Sequence, residues 1–313
     1  MKKLREYLNE GLINRQSGLD VRSKIESWME KQYVHGSYKI NDDMTIDVKG
    51  QFNLEDKEIE ELPDYIQFGE VFGRFDISHK NLKNLKGCPK KCTRFHCNYC
   101  KNLESLEGCP IVSDGFDCSH CTKLESLKGQ NCVDSDNLQF DCNGCTGLKT
   151  LEGAPQKCSS FACEKCTALG SLKGAPQECS FIFSCAHCTG LKTLEGAPQN
   201  SNCKSFCCNG CTALESLKGA PQDVDYFYCH DCSRLKTLEG APRECVGFEC
   251  DNCLNLESFV GGPQECFSFS CKKCKKVKSL EGAPKVDYEF SAVYCKQFDQ
   301  DEIKRVTGAS RVK

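Results

Sequence analysis

A repeated unit of 21 to 24 residues is the feature that most limits what this chain can fold into. Each unit has a phenylalanine, a cysteine two residues later, and a second cysteine three residues after that. Nine phenylalanines mark the units: Phe95, Phe116, Phe140, Phe161, Phe183, Phe206, Phe227, Phe248 and Phe269. A self-similar period of this length is typical of a solenoid, in which each unit buries its apolar side only against its neighbours. For 313 residues, one elongated stack is therefore expected rather than two globular domains.

One unit shows how the repeat folds locally. Phe161 and Cys163 alternate with small or polar residues, which predicts a short strand with one buried face. Leu169 and Leu172 return apolar groups to the same core. Residues 174–176, Gly-Ala-Pro, close the unit, because glycine permits a positive φ and proline cannot continue a ladder. Glu164, in the turn between the two cysteines, is expected to be exposed.

The units resemble the Phe-x-Cys…Leu-x-Ser-Leu-x-Gly-Ala-Pro repeats of leucine-rich-repeat-like proteins from tailed phages and gut bacteria. Residues 40–48 and 62–68 resemble the lead-in of that family. The resemblance covers roughly residues 20–290 and implies a fold, but almost nothing about function. This chain departs from that family by carrying Cys where relatives usually carry Asn. Against the general leucine-rich-repeat template, the leucine after this position comes one residue late.

The predicted fold is a mainly β repeat solenoid of short parallel strands with turns, an N-terminal helix–hairpin cap and a short C-terminal helix. Five segments are expected: an N-terminal peptide or helix (1–17), the helix–hairpin cap (18–50), atypical repeats (51–90), nine Cys-rich repeats (91–284), and a C-terminal cap with a basic tail (285–313). The atypical repeats place Ile77 and Lys80 where the central repeats have cysteines. At the other end, Ala292 replaces the first cysteine and Cys295 keeps the second.

The N-terminal cap is predicted from two patterns. Apolar residues at helical spacing indicate a helix over 19–33, with Asp20 able to cap its start. Alternating residues on both sides of 41–43 predict a hairpin. Before them, residues 4–10 resemble the capsid-targeting peptides of phage internal head proteins, which implies processing after Glu10; the simpler interpretation is a loosely docked terminal helix.

The cysteine pairs allow three interpretations. Free thiols could form a buried ladder, with the second cysteine of each pair donating to a backbone carbonyl. Neighbouring pairs also fit the Cys-x2-Cys-x15–20-Cys-x2-Cys spacing of zinc sites, and iron–sulfur clusters use four thiolates as well. Disulfide or redox buffering is the third interpretation. The pairs are Cys97/Cys100, Cys118/Cys121, Cys142/Cys145, Cys163/Cys166, Cys185/Cys188, Cys208/Cys211, Cys229/Cys232, Cys250/Cys253 and Cys271/Cys274.

Several function classes find no support in the sequence. The net charge of −3 gives no general basic character for nucleic acid, and no apolar run approaches the length of a membrane span. No secretory leader pattern is visible, so the 29 cysteines are expected in a reducing cytosol or, for a phage protein, in the particle. No catalytic triad order or phosphate-binding loop occurs, which predicts a protein without enzymatic activity.

A binding surface is the usual product of a solenoid. Residues on either side of each buried phenylalanine should point outward. On that face Ile182, Tyr226 and Tyr228 form the apolar and aromatic part, and tyrosines are common anchors of protein interfaces. We therefore expect an unidentified protein as the partner.

Overall fold

A single long sheet dominates the computed structural model, which describes residues 18, 20–199, 203–295 and 297–313. Within these residues the sheet has 15 strands. Two short helices accompany it, α1 (20–29) and α2 (Gln300–Thr307). The strands are β1 (Tyr33–Ile40), β2 (Ile46–Asn53), β3 (Phe68–Asp76), β4 (Lys91–His96), β5 (Ile111–Asp117), β6 (Asn131–Cys132), β7 (Gln139–Asp141), β8 (Lys157–Ala162), β9 (Glu178–Ser184), β10 (Cys203–Cys207), β11 (Val224–Tyr228), β12 (Glu244–Glu249), β13 (Glu265–Ser270), β14 (Lys285–Ser291) and β15 (Arg311–Val312).

The strand order confirms the predicted solenoid. β1 and β2 form an antiparallel hairpin, as expected around 41–43, and every later neighbour in the sheet is parallel. Each strand follows its predecessor in sequence, except that β6 pairs only with the start of β5. This extra short strand lies in the longest repeat, between Phe116 and Phe140. The chain therefore advances one strand per repeat along a single sheet.

The core is a continuous stack of phenylalanine rings. Phe161 lies 5.3 Å from Phe140 and 5.4 Å from Phe183, centroid to centroid, with the ring planes within 13° of parallel. Ring contacts run on from Phe52 to Phe290 through Phe75 and the nine repeat phenylalanines, and all are stacked except the Phe95–Phe116 pair, whose planes are tilted by 49°. Leu169 and Leu172 are fully buried beside this stack. The inward assignment of Phe161, Leu169 and Leu172 is thus confirmed.

The N-terminal end begins with α1 and the hairpin. Trp28 of α1 stacks on Phe52 of β2 with ring centroids 6.2 Å apart, and Ile25 and Met29 join the same buried cluster. Asp20 lies within the helix and pairs with Lys24 rather than standing before the first turn. Residues 1–17, with the predicted processing site at Glu10, lie outside the described residues.

A shift in register near the start of a strand aligns two cysteines whose spacing from the repeat phenylalanines differs. The register shifts between Cys158 and Ser160, so that Cys158 pairs with Cys179. Cys179 is four residues before Phe183, whereas Cys158 is three before Phe161. A β-bulge adds one residue to a strand while the flanking pairs stay aligned. Cys179 therefore belongs to the same buried column as Cys158, which the sequence spacing did not indicate.

The C-terminal end contains the predicted short helix. Asp299 caps α2 by accepting from the backbone N–H groups of Asp301 and Glu302, and Gly308 ends it with a φ of 78°. The basic tail, expected only as a tail, instead pairs with the sheet as β15. Arg311 and Lys313 hold it there through ion pairs with Glu289.

Candidate functional site: thiol columns and the outward strand face

The second cysteine of each pair makes the same hydrogen bond throughout the stack. Its Sγ donates to the backbone carbonyl of the first-column residue one turn earlier, as from Cys166 to Cys142 at 3.2 Å and from Cys253 to Cys229 at 3.2 Å. The bond recurs at Cys100, Cys121, Cys145, Cys188, Cys211, Cys232, Cys274 and Cys295, with distances of 3.1 to 3.2 Å. A buried carbonyl left without a donor is costly. The thiol supplies a donor at the carbonyls of Cys229 and Cys250, whereas five other carbonyls of the column also accept from the backbone N–H three residues later: those of Cys118, Cys142, Cys185, Cys208 and Cys271.

The first cysteines form a second buried column beside it. Burial raises the pKa of Cys97, Cys229 and Cys250 well above the ordinary thiol value. A side-chain hydrogen bond with the thiol of the next turn, Cys121, Cys253 or Cys274, adds to this rise. Some first-column thiols also donate, for example Cys142 to the carbonyl of Ala162 at 3.3 Å. Burial therefore favours the protonated form of these first-column thiols.

The predicted zinc or iron–sulfur ligands can be compared with this geometry. All 18 cysteines of the nine pairs lie in the core, and all 29 cysteines of the chain are free. Within the described residues, no group of three or more His, Cys, Asp or Glu side chains is arranged to hold a metal ion. The second-column sulfurs point at carbonyls instead, and the zinc or iron–sulfur assignment stays a prediction.

A third set of cysteines lies at the strand starts. Cys92, Cys158, Cys203 and Cys266 are buried, while Cys245 and Cys132 are partly exposed. Burial raises the pKa of Cys245 to about 12. This set contributes apolar side chains to the sheet margin, where valine takes the same place at Val224 and Val286.

The predicted partner-binding residues share the outward face of the sheet. Ile182 pairs in register with Ser205, and Ser205 with Tyr226, so the two apolar residues lie two strands apart. The rings of Tyr226 and Tyr228 are 6.3 Å apart and nearly parallel. A Cβ on Gly247 would come within 2.9 Å of Tyr226 Cδ1. The absence of a side chain at Gly247 therefore leaves room for the ring of Tyr226.

The earlier half of this face is polar. Arg94, His96, Asp117 and Asp141 surround an open depression of about 450 Å³. Burial raises the pKa of Asp141 and lowers that of His96. The two halves of one sheet face therefore differ in chemistry.

A stack of rings along the turns is one feature that the sequence analysis missed. His79, Tyr99 and His120 take positive φ values near 60°, and their rings stack at 4.5 and 4.3 Å. Gly144 follows them, and a Cβ there would lie 2.5 Å from His120 Nδ1. The signal was present in the sequence, because all these residues directly precede the second-column position.

Comparisons with known proteins do not add to this description. No family model, curated protein or solved structure matches the chain. Among the described residues, neither helix has the length and apolar character needed to cross a bilayer.

Proposed function

We propose that this protein is a non-catalytic scaffold that binds another protein through the outward face of its sheet. The observation that carries the proposal is the patch formed by Ile182, Tyr226 and Tyr228 on a rigid stack of strands. Tyrosine supplies a large contact area at low cost in conformational entropy, and the phenylalanine core beneath fixes the backbone that presents it.

The test is a double substitution on the patch. Tyr226→Ala with Tyr228→Ala removes both rings from the surface and leaves the buried Phe227 in place. We expect capture of the partner to be lost while circular dichroism and the denaturation midpoint stay unchanged. Tyr33→Ala with Tyr38→Ala is the matched control, because those exposed tyrosines lie on β1 at the far end of the sheet. If the patch variant captures the same proteins as the wild type, the assignment of the patch fails.

The setting proposed for this scaffold is the cytosol of a phage-infected bacterium or the phage particle itself. Twenty-nine free thiols, most of them buried, fit a compartment that keeps cysteine reduced. The phage origin rests on the repeat resemblance alone. Metal and free-thiol analysis of anaerobically purified protein tests the alternative that the cysteine pairs bind zinc or iron–sulfur clusters. That alternative predicts a stoichiometric amount of metal per chain.

A further inference from the structure

An open groove runs across the starts of β11 to β14, beside the tyrosine patch. It has a volume of about 370 Å³. We call it the acidic groove and define it by Asp225, Glu244, Val246, Glu265, Phe267 and Asp287, all of which line it. Tyr288 extends its apolar part by stacking on Phe267 at 5.2 Å. None of these residues was singled out by the sequence analysis.

The apolar residues of the groove are exposed on neighbouring strands. Phe267 is 50% exposed, Tyr288 42% and Val246 39%. These residues lie on three successive strands, so they form one contiguous stripe and are not scattered single residues. A contiguous apolar stripe with polar edges is typical of a protein-binding surface.

The carboxylates of the groove make no ion pair with the side chains that the structure describes. In the part of the chain that the structure describes, none of Asp225, Glu244, Glu265 and Asp287 has a Lys, Arg or His nitrogen within 4 Å. Glu244 and Glu265 even lie opposite each other in register. Like charges placed directly opposite on neighbouring strands destabilise a sheet.

Other parts of the stack avoid this cost. Lys173 pairs with Glu195 and Lys218 with Glu239, each across successive turns. Lys285 lies opposite Glu265 in register, but its Nζ donates to the carbonyl of Val306 at 2.8 Å instead. Within the described residues, the groove therefore differs from these turns in having carboxylates without an ion-pair partner.

We propose that the acidic groove binds an extended segment of a partner protein in which Lys or Arg alternates with aliphatic or aromatic residues. The carboxylates would receive the cations, and Phe267 and Tyr288 would contact the apolar side chains and the alkyl stems of the basic ones. An anionic partner, such as nucleic acid or an acidic lipid surface, would meet like charge here. This inference rests on the proposed scaffold function and assigns the chemistry of its partner.

Fluorescence anisotropy with a labelled peptide tests the inference on the full chain. The probe is an eight-residue peptide of alternating Lys-Phe and Lys-Val pairs, and its control replaces every Lys with Glu. We expect only the lysine probe to bind, with affinity that falls as salt screens the charges. Glu244→Gln with Glu265→Gln should weaken binding about tenfold. Phe267→Ala should also weaken it, but with the salt dependence kept.

Matched variants separate the possible outcomes. Glu195→Gln with Glu239→Gln removes two carboxylates that already have lysine partners, and it should leave binding unchanged. Equal binding of the lysine probe to this control and to Glu244→Gln with Glu265→Gln would overturn the proposal. Salt-sensitive self-association that the groove variant abolishes, without probe binding, would also overturn it and make a second copy the occupant. Tyr226→Ala with Tyr228→Ala should still bind the probe, so failure of the tyrosine patch and failure of the groove are distinguishable.

Discussion

The central repeats and the atypical repeat that directly precedes them fill the same core positions with different residues. Cys97 and Cys100 occupy the two columns in a central turn, whereas Ile77 and Lys80 occupy them one turn earlier. Ile77 is fully buried like the thiol it replaces, and Cys100 still donates to its carbonyl at 3.2 Å. At Lys80, by contrast, burial lowers the pKa of the ammonium group.

The other end of the stack repeats this asymmetry. Ala292 replaces the first cysteine, but Cys295 remains and donates to the carbonyl of Cys271 at 3.1 Å. Cysteine, isoleucine and alanine thus all occupy the first column, whereas every cysteine of the second column donates to a carbonyl of the preceding turn. The two columns look alike in sequence but perform different tasks.

The largest expected effect is a loss of stability at high pH, which should affect the thiol-rich central repeats and not the N-terminal turns without thiols. Burial raises the pKa of Cys100 to about 12, from an ordinary value of 9.0. The folded state thus holds its proton where the unfolded chain releases it. Stability is unaffected below pH 9 and falls between pH 9 and 12, by about 1.4 kcal/mol per pH unit for each such thiol.

Two spectroscopic probes can distinguish the regions in this titration. Far-ultraviolet circular dichroism reports the whole stack. Fluorescence of Trp28, the one tryptophan of the chain, reports the N-terminal end, where it stacks on Phe52. We expect the dichroism to change at lower pH than the fluorescence. If the two signals change at the same pH, the stack unfolds as one unit. If neither signal changes below pH 12, the buried thiols do not make stability depend on pH.

The next largest effect is the destabilisation caused by removing one ring from the phenylalanine stack, which runs through the N-terminal turns and the central repeats. Phe161→Ala should lower the free energy of unfolding by about 3–5 kcal/mol, because it leaves a cavity between two stacked rings. Lys192→Ala, on the exposed turn of the following repeat, should change it by less than about 0.5 kcal/mol. Urea denaturation of both variants measures the difference. Equal midpoints would show that the inward and outward assignment is wrong.

The smallest effect tests the task of the second column. Cys253→Ala should cost about 1–3 kcal/mol, because the carbonyl of Cys229 loses its buried donor. Cys253→Ser keeps a donor at the same place and should cost less. Thermal denaturation under reducing conditions compares the two. If serine destabilises as much as alanine, the column serves packing rather than hydrogen bonding.

Sequence reasoning succeeded where a local pattern repeats and failed where distant residues meet. The period and the alternation around Phe161 predicted strands, turns and buried columns, because each unit packs only against copies of itself. Glu164 was expected to be exposed, but it is half-buried and accepts a hydrogen bond from Ser184 at 2.7 Å. That contact depends on the neighbouring turn, which a single unit does not specify.

The sequence by itself determined that this protein is a stack, which residues form its core, and that its cysteines fall in columns. The tertiary structure decided what the columns do and where the outer surface is charged or apolar. Only the register between turns directs the Sγ of Cys253 at one carbonyl and sets Glu244 beside Glu265. A repeat fixes the period of the chain, but bulges of one residue shift the strand starts, and those shifts decide which side chains become neighbours.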